Sequence, residues 1–235
     1  MLNILGKKII IVAAAILLVT SVNAQIKGTY NFLDFAQKPY YFGITLAVNS
    51  ASYQVVHSDA FIRNESIRIA ESLTGSSFNL GMVTNLKIGQ HFDFRFLPTL
   101  SFTDRKLQYF TTYNSQVDKA ISSVFVELPF HLRYKSEPYK DFRLFVIAGA
   151  KYSFDVASNS RSRNSNDLVR IAPSDFSIEY GVGVQIFFPY FIFSPEIKMS
   201  HGLSNALIYD DQLTYSSVLE KLLSRAFTLS FHFEG

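Results

Sequence analysis

Apolar and polar residues alternate along eight stretches of the chain, and the gaps between those stretches are alternately short and long. The clearest stretch spans residues 92–102. Phe92, Phe94, Phe96, Leu100 and Phe102 fall on one face, and Asp93, Arg95, Thr99 and Ser101 on the other. A strand sends successive side chains to opposite faces. This stretch therefore predicts a strand with one aromatic, greasy face and one face of ionised groups. A soluble sandwich turns the polar face to water and packs the greasy face on a second sheet. An outer-membrane barrel turns the greasy face to lipid and the charged face inward.

The same alternation predicts strands at 40–53, 77–88, 122–134, 142–154, 175–187, 191–203 and 225–233. Short connections fall at 89–91, at 135–141 with Pro138, and at 188–190; Gly and Pro suit such turns. Long connections fall at 57–75, 104–121, 155–174 and 204–224. Within the first, 65–73 predicts a turn or two of helix. Within the fourth, 217–223 predicts an amphipathic helix. The third is rich in Ser, Asn and Arg, a composition that forms no packed core. Pro98, Pro129 and Pro195 sit mid-strand, where proline removes a ladder hydrogen bond. They predict bulges or lapses of pairing.

The choice between sandwich and barrel follows from three features. Ionised residues occupy mid-strand positions on one face only. Long and short connections alternate along the whole chain. The last strand finishes on Phe231 and Phe233. Each strand is long enough to cross a bilayer at the usual tilt, which takes about 9–11 residues. An open sheet edge in lipid would cost several kcal/mol per unpaired backbone group, so the sheet must close. The expected fold is all-β: an eight-stranded antiparallel transmembrane β-barrel of the outer-membrane type over residues 39–235. Lipid is then an obligate partner, the location is the cell outer membrane, both termini are periplasmic, and the long loops face outside.

The start of the chain reads differently. Lys7 and Lys8 precede an apolar run at 9–19, and Val22-Asn23-Ala24 follows as a cleavage site. This is the layout of a secretory signal peptide over residues 1–24. The alternative, a membrane anchor, needs roughly 20 apolar residues. Residues 25–38 then form a periplasmic leader. Cysteine is absent, so no disulfide framework supports the exported domain. Tryptophan is absent too, but 23 Phe and 13 Tyr suit a lipid-facing surface and its interfaces. The net charge of +3 falls to +1 without Lys7 and Lys8 (3 − 2 = 1), which gives no reason to expect nucleic acid as a partner.

An eight-stranded barrel is just wide enough for its interior side chains to fill it. The predicted interior holds Lys87, Asp93, Arg95, Glu127, His131, Arg133, Arg143, Lys151, Glu179, Glu196 and Lys198. Mixed signs predict a structural plug of ion pairs, because buried charges must find partners. The alternative is a proton or ion path. Five histidines, His57, His91, His131, His201 and His232, invite a catalytic reading. His201 follows Ser200, and His131 lies near Glu127 on one face. Neither pair carries a supporting signature, and no metal-ligand cluster, Walker loop or dinucleotide fingerprint occurs. No enzymatic activity, cofactor or metal is expected.

Several stretches resemble the PorT (SprT) family of barrels associated with type IX secretion and gliding motility. They are Tyr41-Phe-Gly-Ile-Thr-Leu-Ala-Val-Asn49, Phe78-Asn-Leu-Gly81 through Asp104-Arg105, Val126-Glu-Leu-Pro-Phe-His-Leu-Arg-Tyr-Lys-Ser136, Ile147-Ala-Gly-Ala-Lys-Tyr-Ser153 and Ser194-Pro-Glu-Ile-Lys-Met-Ser-His-Gly-Leu203. Their order and spacing carry the resemblance more than any single phrase. It implies an outer-membrane component needed to export proteins with a C-terminal sorting domain, with other secretion-system proteins as partners. It implies no catalytic residues. A barrel this narrow cannot pass folded cargo, so the expected role is accessory: assembling or stabilising a larger translocon. The alternative is a stand-alone small barrel that binds a surface ligand or partner through its long loops, for instance around 159–170.

Overall fold

The computed structural model describes residues 31–57, 67–111, 116–156, 170–208 and 219–235. The expected signal peptide and most of the leader lie outside the described residues. Among the described residues a short helix, α1 (Phe32–Ala36), comes first. The strands that follow are β1 (Tyr40–His57), β2 (Ile67–Leu73), β3 (Gly75–Ile88), β4 (Phe92–Phe96), β5 (Thr99–Thr111), β6 (Gln116–Lys135) and β7 (Phe142–Asp155). β8 (Arg170–Ile171), β9 (Ser174–Phe187), β10 (Ile192–Gly202), β11 (Leu207–Ile208) and β12 (Leu219–Glu234) complete the set.

These segments form a ring of eight hydrogen-bonded strands. β2 continues into β3, and β4 into β5, so each pair makes one stave. Every neighbouring pair is antiparallel, and β1 closes the ring by pairing with β3 on one side and β12 on the other. Gly43 stands opposite Val83 in one ladder and opposite Glu234 in the other. β8 and β11 form a separate two-stranded pair. Among the described residues the ring is closed from Tyr40↔Leu86 to Ala51↔Gly75, so no sheet edge is left over that span, as lipid requires.

The barrel is inside-out relative to a soluble protein. Met82 and Leu144 are 61% and 66% exposed, while Asp93, Arg95, His131 and Arg133 are at 0%. Tyr40, Phe42, Phe92, Tyr134 and Phe142 ring the outer surface near the short turns. Phe78, Phe102, Tyr152, Phe176 and Phe227 ring it near the long connections. Leu46, Leu80, Leu132, Val146, Val182 and Ile197 cover the band between. Aromatic girdles flanking an aliphatic band are the outer-membrane arrangement.

Three expectations are corrected. The described part of 65–73 is strand β2, not helix, and pairs with β5 from Leu73↔Lys106 to Ile67↔Thr111. Its Ile67, Ile69 and Leu73 alternate, and β-branched side chains suit a pleated surface. The expected long connection at 104–121 is mostly ladder: β5 and β6 pair from Thr99↔Glu127 to Phe110↔Gln116. Polar residues dominate there, so hydrophobic periodicity gives no strand signal, yet backbone pairing needs no greasy face. The expected helix at 217–223 is strand over its described part. Leu222 is fully buried and pairs with Val55 of β1.

The prolines produce lapses without bulges. Register holds across Pro98, with Phe96↔Thr84 before it and Thr99↔Gly81 after it. The Pro98 carbonyl still accepts a hydrogen bond from Met82 N at 3.0 Å. Beside Pro195, Phe193↔Ile186 and Glu196↔Gly183 keep one register. Pro129 stays in the ladder opposite Lys151.

Inward glycines let a small ring hold large side chains. A Cβ on Gly149 would collide with the Phe130 carbonyl and lie 2.8 Å from His131 Cα. Gly89, at φ 77°, turns β3 into β4.

The helix α1 caps the short-turn end. Phe35 is buried among Tyr41, Phe187 and Ile192, and the Phe32 ring meets Phe187 edge-on at 5.2 Å. Asn31 Nδ2 donates to the Phe187 carbonyl at 3.2 Å, and Phe32 N to Asp141 Oδ1 at 3.3 Å. Lys87 Nζ donates to the carbonyls of Phe35 and Ala36.

Candidate functional site

The ring of strands positions its chemistry in the lumen. Because side chains alternate, every second residue of each strand points inward, and antiparallel neighbours bring charges of opposite sign together.

Near the short turns, Asp93 of β4 is the acceptor at the centre. It receives Arg133 NH2 at 2.6 Å, Arg133 Nε at 3.0 Å and Lys135 Nζ at 2.5 Å. The Arg133 guanidinium also donates to Asn85 Oδ1 at 2.9 Å and to the Tyr41 hydroxyl, and it packs over the Phe145 ring at 5.1 Å. Arg95 crosses the lumen. Its NH1 donates to Glu196 Oε2 at 2.9 Å and its NH2 to Glu234 Oε1 at 2.7 Å. Glu234 in turn faces Arg133 NH1 at 3.7 Å, and His232 Nε2 lies 3.6 Å from Glu196.

Further along, Glu179 of β9 gathers three partners. His131 Nε2 is 2.7 Å from its Oε2, Lys198 Nζ 3.2 Å from Oε2, and Lys151 Nζ 3.2 Å from Oε1. Lys151 also reaches Glu127 at 3.2 Å. Beyond that layer the network becomes neutral: Asn49 and Ser101 both donate to Asn79 Oδ1, at 3.0 and 2.8 Å.

All eleven residues expected inside the barrel line the lumen or its short-turn mouth. Nine of them, with Lys135 and Glu234, form the ion-paired interior. There, five cations (Arg95, Arg133, Lys135, Lys151 and Lys198) match five carboxylates (Asp93, Glu127, Glu179, Glu196 and Glu234), besides His131. Lys87 and Arg143 sit apart at the mouth and bond to backbone carbonyls. Glu234, Lys135, Tyr41, Asn85 and His232 were missing from the sequence-derived set. Glu234 continues the inward phase of Thr228, Ser230 and His232, and Lys135 that of His131 and Arg133. Extending each strand by one or two residues finds both.

Such a centre can hold charge rigidly in a space closed to bulk solvent. Arg95, Arg133 and Asp93 are fully buried. Ion pairs of this kind bind strands together across the lumen, and removing one partner leaves an uncompensated buried charge. The pairings proposed for catalysis are not brought together. Ser200 is buried on the inner face, whereas the neighbouring His201 stacks on Tyr180 of the outer face, its Nε2 3.0 Å from that hydroxyl. His131 pairs with Glu179 rather than Glu127.

Comparison with known proteins adds the family. No curated protein matches the chain. Among solved structures, the outer membrane protein OprG of Pseudomonas aeruginosa aligns at 10% identity and a TM-score of 0.45, covering 82% of this chain and 96% of that one. The attachment invasion locus protein Ail of Yersinia pestis, in complex with the heparin analogue sucrose octasulfate, aligns at 11% identity and a TM-score of 0.37, covering 84% and 100%. The family model of the outer membrane protein beta-barrel domain matches residues 35–207, well over half of the chain. With its closed ring, outward aliphatic band and charged interior, the chain belongs to the outer membrane protein β-barrel domain family and resides in the outer membrane.

Proposed function

We propose that this barrel is a non-conducting accessory component of type IX protein secretion, and of gliding motility in species that glide. In this reading it assembles or stabilises a larger translocon through its outer face and its two ends, and it catalyses no reaction. Both termini are periplasmic and the long connections face outside. The observation that carries the non-conducting part is the Arg95 guanidinium bridging Glu196 and Glu234 across the lumen with no exposed surface. The resemblance to the PorT (SprT) family supports the secretion part. Its two most distinctive phrases supply much of the interior: Val126–Ser136 provides Glu127, His131, Arg133 and Lys135, and Ser194–Leu203 provides Glu196 and Lys198. Deleting the gene tests the proposal. Cargo bearing a C-terminal sorting domain should stay in the periplasm, and secretion subunits should co-purify with the barrel from native membranes. Unchanged secretion would refute it.

One observation favours a second reading, a stand-alone barrel that binds a partner at its long-connection end. There the ladder of β2, β5 and β6 runs to Thr111 and Gln116, past the Phe78–Phe102 aromatic pair. A detergent-gentle pull-down that recovers an external ligand, and no secretion subunit, would select it.

A further inference from the structure

The short-turn mouth holds a cavity of about 350 Å³ that opens beside the luminal network and shares Lys135 with it. Phe32 of α1, Lys87, Gln90, Lys135, Glu137 and Arg143 line it. Three of these six are cations, and they come from three different strands. Arg143 is 7% exposed and Lys135 2%.

The charges here do not balance. The deeper interior pairs five cations with five carboxylates. Lys87 and Arg143 are left over, and among the described residues neither has a carboxylate within ion-pairing distance. Lys87 donates to the carbonyls of Phe35 and Ala36, and Arg143 donates to those of Ser136 and Gln90, at 2.7 and 2.6 Å. Carbonyl dipoles orient a cation but do not neutralise it. Lys135 shares its one carboxylate, Asp93, with Arg133. Two acids stand at the rim: Glu137, whose side chain is 67% exposed, pairs with His91 at 2.7 Å, and Asp141 accepts from Phe32 N at 3.3 Å. Lys135 and Arg143 are buried, Lys87 is half-buried, and a charge withdrawn from water without a full counter-charge is costly.

We infer that this cavity is a phosphate-binding site in which Lys87, Lys135 and Arg143 converge on the phosphate oxygens. A phosphate monoester is anionic and has oxygens enough to accept from Lys87, Lys135 and Arg143 at once. A guanidinium fork flanked by lysine ammonium groups is also the side-chain set that suits tetrahedral oxyanions. A carboxylate offers two oxygens to the three cations, one fewer than they need. The group can come from a free phosphate compound or from a phospholipid headgroup at the interface. The site does not depend on the secretion role.

Two arms separate those sources. In the first, the full mature chain in uncharged detergent is titrated with inorganic phosphate by calorimetry. In the second, the same chain is reconstituted in nanodiscs of phosphatidylethanolamine and phosphatidylglycerol, and retained lipid is counted by native mass spectrometry. Arg143→Gln and Lys87→Gln are compared with the wild type, each checked for a folded barrel by its heat-dependent gel shift. One phosphate per barrel, bound about tenfold more weakly by either variant, supports the site with a free-phosphate source. One retained phospholipid, lost from either variant, supports it with a lipid source. Should Arg143→Gln fail to fold, Lys87→Gln decides. Absence of both phosphate and retained lipid in the wild type, or binding indifferent to the substitutions, overturns the inference.

Discussion

Arg95 and Glu234 meet across the lumen, 139 positions apart in sequence, with the Arg95 NH2 group 2.7 Å from Glu234 Oε1 and both side chains fully buried. The contact ties β4 to β12 through the centre of the barrel, and Glu196 of β10 takes the other side of the same guanidinium. Arg95→Met leaves two carboxylates facing each other. It should destabilise the barrel by about 3–5 kcal/mol, because breaking a buried pair strands a charge. Urea titration of folding into lipid vesicles measures this. Adding Glu196→Gln and Glu234→Gln should restore most of the loss. A triple variant as unstable as the single one would assign the cost to packing rather than charge.

Gly149 lies directly opposite His131, and the strands approach so closely there that a Cβ would strike the Phe130 carbonyl. Gly149→Ala should therefore cost about 1–3 kcal/mol, as overpacking does, and it should disturb the His131–Glu179 contact. The same vesicle titration reads the stability. Histidine NMR shifts read the contact.

The aliphatic band predicts a depth profile. Val182 of β9 lies opposite both Val146 and Ile197 and is 57% exposed to the outside. Val182→Arg should cost about 2–4 kcal/mol, and Phe176→Arg, in an aromatic girdle, about 0–1 kcal/mol. Equal costs at the two positions would contradict the placement of the bilayer.

The capping helix should behave as a separate unit. Phe35 is its main buried contact, against Tyr41, Phe187 and Ile192. Phe35→Ala should raise amide hydrogen exchange through 31–38 while protection in β1 and β12 stays unchanged, since the ladders do not rely on α1. Loss of protection throughout the barrel would show that the cap supports the fold.

Much of the ring was legible because its alternation is strong where lipid is the solvent. Phe92 to Phe102 reads as a strand without help, and the alternation of β6 puts Glu127, His131 and Arg133 on one face. Legibility ended where the greasy face ended. The hairpin joining β5 to β6 is built from polar residues such as Gln108 and Asp118, which pair through the backbone and carry no hydrophobic period. Leu219 to Leu223 fits a helical stripe as well as a strand, and only the ladder to β1 decides between them. Partner choice inside the lumen was hidden for another reason. Strand phase shows that Glu179 points inward, but its meeting with His131, Lys151 and Lys198 depends on the register of three ladders at once. The cap at 32–36 left no signal, because its stability comes from Phe187 and Ile192, more than 150 residues away.

Paired charges fill the lumen from Asp93 to Glu179. Current across a planar lipid bilayer containing the purified, reconstituted barrel shows whether they seal it. A sealed lumen gives no steady conductance steps above the bare-bilayer leak in molar salt. Stable ohmic openings of the wild-type protein would contradict it.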